Sequence, residues 1–200
     1  MEEVTWEELE KWYNDVINTI KELQELSVEE KIGIPPLSIV LENAEREIGQ
    51  FIRERVGEPT SLSRRLKFLS NTVYLIAKSY AKNLFIKSKL KEWNKSCVVN
   101  MIYDPIESEM EIIIKDVNLK EIDRDKVLCK GLTEKECEEK ALSYLQAMYS
   151  DCALLIKDAE VVGIGYIGDI LANLQTGEMV EISKQVEEFL EELKKKLKPL

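Results

Sequence analysis

The 200-residue chain contains no histidine. That absence removes Ser-His-Asp, Cys-His and histidine general-base chemistry, so any catalysis would rest on Asp, Glu, Lys, Tyr, Cys or a cofactor. No constellation of those groups stands out, so no cofactor is expected and the reading leans away from an enzyme. Cysteine is sparse: Cys97, Cys129, Cys137 and Cys152 have no Cys-x-x-Cys spacing. A zinc site would need all four scattered thiols or recruited carboxylates, so no metal is expected and buried free thiols are the expected state. A Cys129–Cys137 disulfide is the alternative for a hyperthermophilic source, towards which the Lys- and Glu-rich composition leans. No stretch approaches the roughly 20 uncharged apolar residues of a membrane span. Met1-Glu2-Glu3 is acidic where a signal peptide begins basic. The expectation is a cytoplasmic protein with no membrane partner.

Charge is plentiful and unevenly placed. The formal net charge is −10, yet residues 61–95 carry nine lysines and arginines against the single acid Glu92. At 3.6 residues per turn, Leu62, Leu66, Leu69, Val73, Ile76, Ala77, Tyr80 and Leu84 fall on one helix face. Arg64, Lys67, Lys78, Lys82 and Lys89 fall on the opposite one, with Tyr74 and Phe85 beside them. Lys87 and Lys91 rotate onto the apolar side, so the packed part should end near Ile86. A cationic stripe with adjacent aromatics suits a phosphate backbone, or an acidic protein surface. The simpler alternative is a helix covered by the acidic remainder of the chain or left as a solvated face. The overall negative charge makes non-specific attraction to nucleic acid poor unless the field is local.

Local signals place the other helices. Thr5 and Glu8 form a capping box, and Trp6, Leu9, Tyr13, Val16, Ile20 and Leu23 recur at helical spacing. A second box, Ser27 to Glu30, should open a short turn that stops at Pro35-Pro36. The next helix is expected over 37–56, with Leu37, Val40, Ala44, Ile48 and Ile52 on its buried side and Gly57 as its stop. After residue 97 the period changes to two: 97–103 and 109–115 read as a hairpin. Residues 117–129 look irregular and charged, a candidate boundary. Thr133 and Glu136 form a third capping box, and a last helix is expected over 184–197 behind Ser183.

Gly163-Ile164-Gly165-Tyr166-Ile167-Gly168 has the spacing G-x-G-x-x-G after a β-branched pair. The segment resembles the first βαβ unit of a Rossmann nucleotide-binding domain. The resemblance implies that Gly163, Gly165 and Gly168 admit a pyrophosphate at a helix N-terminus while Glu181 holds a ribose. It covers about twenty residues and leaves room for only about two helical turns before Gly177. The same letters fit an antiparallel meander: Val162, Ile164 and Tyr166 alternate, Ile170, Ala172 and Leu174 alternate, and Thr176-Gly177 turns the chain. The meander is preferred.

The expected fold is α+β: an N-terminal bundle of three main helices, an antiparallel β-hairpin, a helix, a small antiparallel meander and a C-terminal helix. Residues 1–95 form a helical lobe and 96–200 an α+β lobe. The expected function is that of a non-catalytic subunit or adaptor engaging an acidic protein partner or a nucleic-acid backbone. Arg64, Arg65, Lys67, Lys78, Lys82 and Lys89 would supply charge, Tyr74 and Phe85 contact area, with homo- or hetero-oligomerisation possible. The alternative is a nucleotide- or small-molecule-binding domain on the glycine-rich segment.

Overall fold

The computed structural model describes residues 3–29, 37–157 and 169–197. The chain is mixed helix and sheet, with one six-stranded, mostly antiparallel sheet. It divides into two compact units: residues Met1–Ala81 with Val186–Leu200, and Lys82–Gln185. No helix among the described residues is long and apolar enough to cross a membrane.

The first unit is helical. The Thr5–Glu8 box forms as the spacing requires, with Glu8 N–H donating to Thr5 Oγ1 at 3.2 Å and Thr5 N–H to Glu8 Oε2 at 3.0 Å. Helix α1 (Trp6–Glu29) buries Leu9, Trp12, Tyr13, Val16, Ile20 and Leu23. It runs on to Glu29, past the point where Ser27 was expected to start a short turn; the rest of that segment, Glu30 to Pro36, lies outside the described residues. Next come α2 (Leu37–Ala44), a π turn (Glu45–Gly49) and α3 (Gln50–Glu54), all packed on α1 or on one another. The helix stops earlier than expected: Arg55, not Gly57, takes the left-handed capping conformation at the end of α3, and Gly57 follows two residues later at φ +86°. Helix α4 (Pro59–Glu92) contributes Leu62, Leu66, Val73, Ile76, Ala77 and Tyr80 to the core, and α6 (Ile182–Leu197) contributes Val186, Leu190, Leu193 and Leu197. Ser183 lies inside α6 rather than capping it, its hydroxyl donating to Glu181.

The second unit is built on the sheet, ordered β3-β2-β1-β4-β5-β6. Strands β1 (Cys97–Asp104) and β2 (Glu109–Asp116) form the expected hairpin. The segment expected to be irregular holds a strand, β3 (Glu121–Leu128), because its backbone pairs with β2 although its side chains are mostly charged and exposed. Helix α5 (Glu134–Met148) starts with the complete Thr133–Glu136 capping box. Then come β4 (Cys152–Ile156), β5 (Ile170–Asn173) and β6 (Met179–Glu181). The hairpin and the later strands are one sheet rather than two, joined by parallel pairing of β1 with β4.

Alternation decides which side chains meet. Val99, Met110, Ile112, Ile114, Leu154 and Ile170 pack on one face with Cys137, Ala141 and Leu145 of α5. All four cysteines are oxidised, correcting the expectation of free thiols: Cys97 pairs with Cys152 across the β1–β4 register, and Cys129 with Cys137. The packed part of α4 does not end near Ile86, since Leu90 is buried, and so is Lys95 beyond the helix end.

Candidate functional site

The cationic residues of α4 separate into two classes once their neighbours are counted. Arg64, Arg65, Lys67 and Lys78 are exposed, and none has a carboxylate partner among the described residues. Arg65 reaches only a backbone carbonyl, that of Glu47, at 3.5 Å from its Nη1. Lys82 and Lys89 are engaged internally. Lys82 pairs with Asp169, both side chains being about three-quarters covered. Lys89 Nζ lies 3.0 Å from Glu92 Oε2 and 5.6 Å from the centroid of the Trp93 ring. Tyr74 is half-buried with Lys194 Nζ 5.7 Å above its ring, and Phe85 is half-buried. Among the residues expected to bind, the charge without a carboxylate partner therefore lies in the first unit, within Arg64 to Lys78, while Lys82, Phe85 and Lys89 belong to the second.

Two residues that charge counting passes over complete the surface. Phe68 is 76% exposed and Leu75 64%. Arg64, Phe68, Asn71, Leu75 and Lys78 follow one another at spacings of four, three, four and three, so they form one line along the helix, with Lys67 beside it. The signal was present in the pattern, for Phe68 and Leu75 are the large apolar residues between 62 and 84 left off the core face. Beside this line lies a groove of about 780 Å³ between α2, the π turn and α4. Val40, Ala44, Ile48, Phe68 and Leu69 give it an apolar lining, and Arg64 and Arg65 stand on its α4 side.

The π turn on the opposite wall is held from behind. Tyr13 Oη donates to Glu45 Oε2 at 2.8 Å, and Arg53 pairs with the same carboxylate. The Arg53 and Tyr13 hydrogen bonds hold Glu45 below the usual carboxylate range, while burial, then the Glu45 bond, pushes the Tyr13 hydroxyl up.

The glycine-rich motif fares differently. Gly163, Gly165 and Gly168 lie outside the described residues. The residues that a dinucleotide site would place in its crossover helix form β5, antiparallel to β4 and β6, with Gly177 at φ +77° in the turn. That is the later part of the expected meander, and among the described residues it puts a strand where the crossover helix would run. Glu181 is occupied by Lys184, at 3.4 Å, and by the Ser183 hydroxyl. No group of three or more potential metal ligands occurs among the described residues.

No family model, curated protein or solved structure matches this chain.

Proposed function

We propose that the protein is a non-catalytic adaptor or subunit that holds an acidic protein partner on the first half of α4. One observation carries the reading. Arg64, Arg65, Lys67 and Lys78 are exposed without carboxylate partners among the described residues, in a chain of net charge −10, and they surround the exposed Phe68 and Leu75. Cations kept out of internal pairs cost little in water and gain most when an opposite charge is brought up to them. A protein fits better than nucleic acid because the middle of the stripe is apolar. Phosphate contacts need cations along the whole track, and the chain's net charge opposes a polyanion at long range. In a cytoplasmic setting, two oxidised cysteine pairs accord with a hyperthermophilic source.

The test is fluorescence anisotropy of the full chain with an acidic polypeptide, single-stranded DNA and duplex RNA across a salt series. The polypeptide is expected to bind, to weaken as salt rises, and to be lost in the variant Arg64→Glu/Arg65→Glu/Lys67→Glu/Lys78→Glu. Lys82 is left unchanged, since reversing it would break the Asp169 pair. Tighter binding of either nucleic acid through the same four residues would replace the protein partner by a phosphate backbone. Binding of none of the three would remove the basic surface as a site.

A further inference from the structure

We infer that the groove between α2, the π turn and α4 receives one amphipathic helix of the partner, apolar on the side that enters and acidic on the side that meets Arg64 and Arg65. The inference rests on the adaptor reading above and adds the form of the ligand. Length comes first. The groove walls run from Val40 to Ile48 and from Arg64 to Thr72. Eight residues of helix rise about 12 Å, so each wall faces about two turns of a docked helix. Such a segment presents apolar anchors at i, i+3 or i+4, and i+7, the arrangement by which helices bind in grooves.

Chemistry excludes the other shapes. Both walls are helices whose backbone groups are already paired, so an extended strand finds no edge to hydrogen-bond with. A nucleic-acid strand would find phosphate partners in Arg64 and Arg65 alone and leave the apolar lining of Val40, Ala44, Ile48 and Leu69 unused. Charge sets the polarity. Glu47 is the only carboxylate among the lining residues, and it already faces Arg46, whose Nη2 is 3.6 Å away. The α4 side is thus left with a positive excess, and a docked acid there meets guanidinium groups suited to bidentate contact. The π turn supplies an independent pointer. Turns of this kind are rare and concentrate at functional sites, and Glu47 and Ile48 of this one line the groove.

The experiment is a selection from a displayed random library of roughly 16-residue helical peptides, long enough to be helical when bound, against the full chain. Selected peptides are then measured by anisotropy on three variants. Phe68→Glu and Thr72→Trp alter surface positions of the groove, and Arg64→Glu/Arg65→Glu reverses its charge; circular dichroism checks that each stays folded. The expected outcome is a consensus with helically spaced apolar residues and acidic flanks, and binding weakened by about tenfold or more in all three variants. Acidic peptides without apolar spacing that lose binding only in Arg64→Glu/Arg65→Glu would overturn the docked helix and leave the basic surface standing. Peptides without acids, or binders indifferent to all three variants, would overturn both. Displacement of a selected peptide by single-stranded DNA with the same dependence on Thr72→Trp would overturn a protein occupant.

Discussion

A Cβ at Gly49 would lie well inside van der Waals contact of the Tyr13 hydroxyl and the Glu45 carboxylate. This glycine has ordinary helical dihedrals, so its role is close approach rather than conformational freedom. Gly49→Ala should gain about 0.5–1 kcal/mol of helix propensity and lose roughly 1–3 kcal/mol to overpacking, a net destabilisation. Tyr13→Phe should cost about 1 kcal/mol for the hydrogen bond to Glu45. Because Tyr13→Phe also removes the nearest clashing atom, the double variant should be more stable than the sum of the two changes, as read from denaturant midpoints. Strict additivity would mean that the contact is not made. Phe68 marks the opposite case. At 76% exposed it should tolerate Phe68→Glu with less than about 0.5 kcal/mol change in stability, so lost peptide binding in that variant reports the surface and not the fold.

At the scale of single elements, legibility followed the range of the forces. Both complete capping boxes and the core stripe of α4 depend on residues three to seven apart, and each was readable from the residues. Strand β3 was not, because Glu121, Asp123, Arg124, Asp125 and Lys126 carry no apolar alternation. It exists through pairing with β2 and through cross-strand charge: Arg124 with Glu111, and Lys126 Nζ 3.0 Å from Glu109. The same strand has a titratable anchor on its other face. Tyr144 and Tyr149 both donate to Asp125 Oδ2, Tyr149 at 3.1 Å. The Tyr144 hydrogen bond, then the Lys126 backbone N–H, holds Asp125 below the usual aspartate range. The same carboxylate, through its hydrogen bond, pushes the Tyr144 hydroxyl up to about 12. The signs differ at the two ends of the pH scale. A depressed carboxylate stabilises above its unfolded pKa near 4, and that stability is lost as pH falls through the folded value. A raised phenol stabilises below about pH 10, and that stability is lost as pH climbs towards 12. Asp125→Asn should therefore flatten both limbs of a stability–pH curve and bring Tyr144 back towards an ordinary tyrosinate titration by absorbance. Unchanged limbs would show that the cluster does not hold the strand.

At the scale of the whole molecule, the least legible feature was the parallel pairing of β1 with β4, which turns two antiparallel pieces into one sheet. Nothing within either strand signals it, since continuous apolar runs such as Cys152 to Ile156 fit any buried strand, and the partner lies 55 residues away. The same distance hid the Cys97–Cys152 disulfide, whereas Cys129 and Cys137, eight apart, could be considered from spacing alone. That contrast predicts unequal stabilisation. If a disulfide acts chiefly by restricting the unfolded chain, closing 55 residues contributes about 4 kcal/mol and closing eight about 2.5 kcal/mol. The shorter loop is nested within the longer one and shortens it only slightly, so the two contributions should nearly add. Cys97→Ala/Cys152→Ala, Cys129→Ala/Cys137→Ala and the fourfold variant, unfolded in denaturant, give the three numbers required. A larger loss from the Cys129 and Cys137 pair would mean that this bond works by holding the end of β3 against α5 in the folded state, and that chain entropy is not the governing effect.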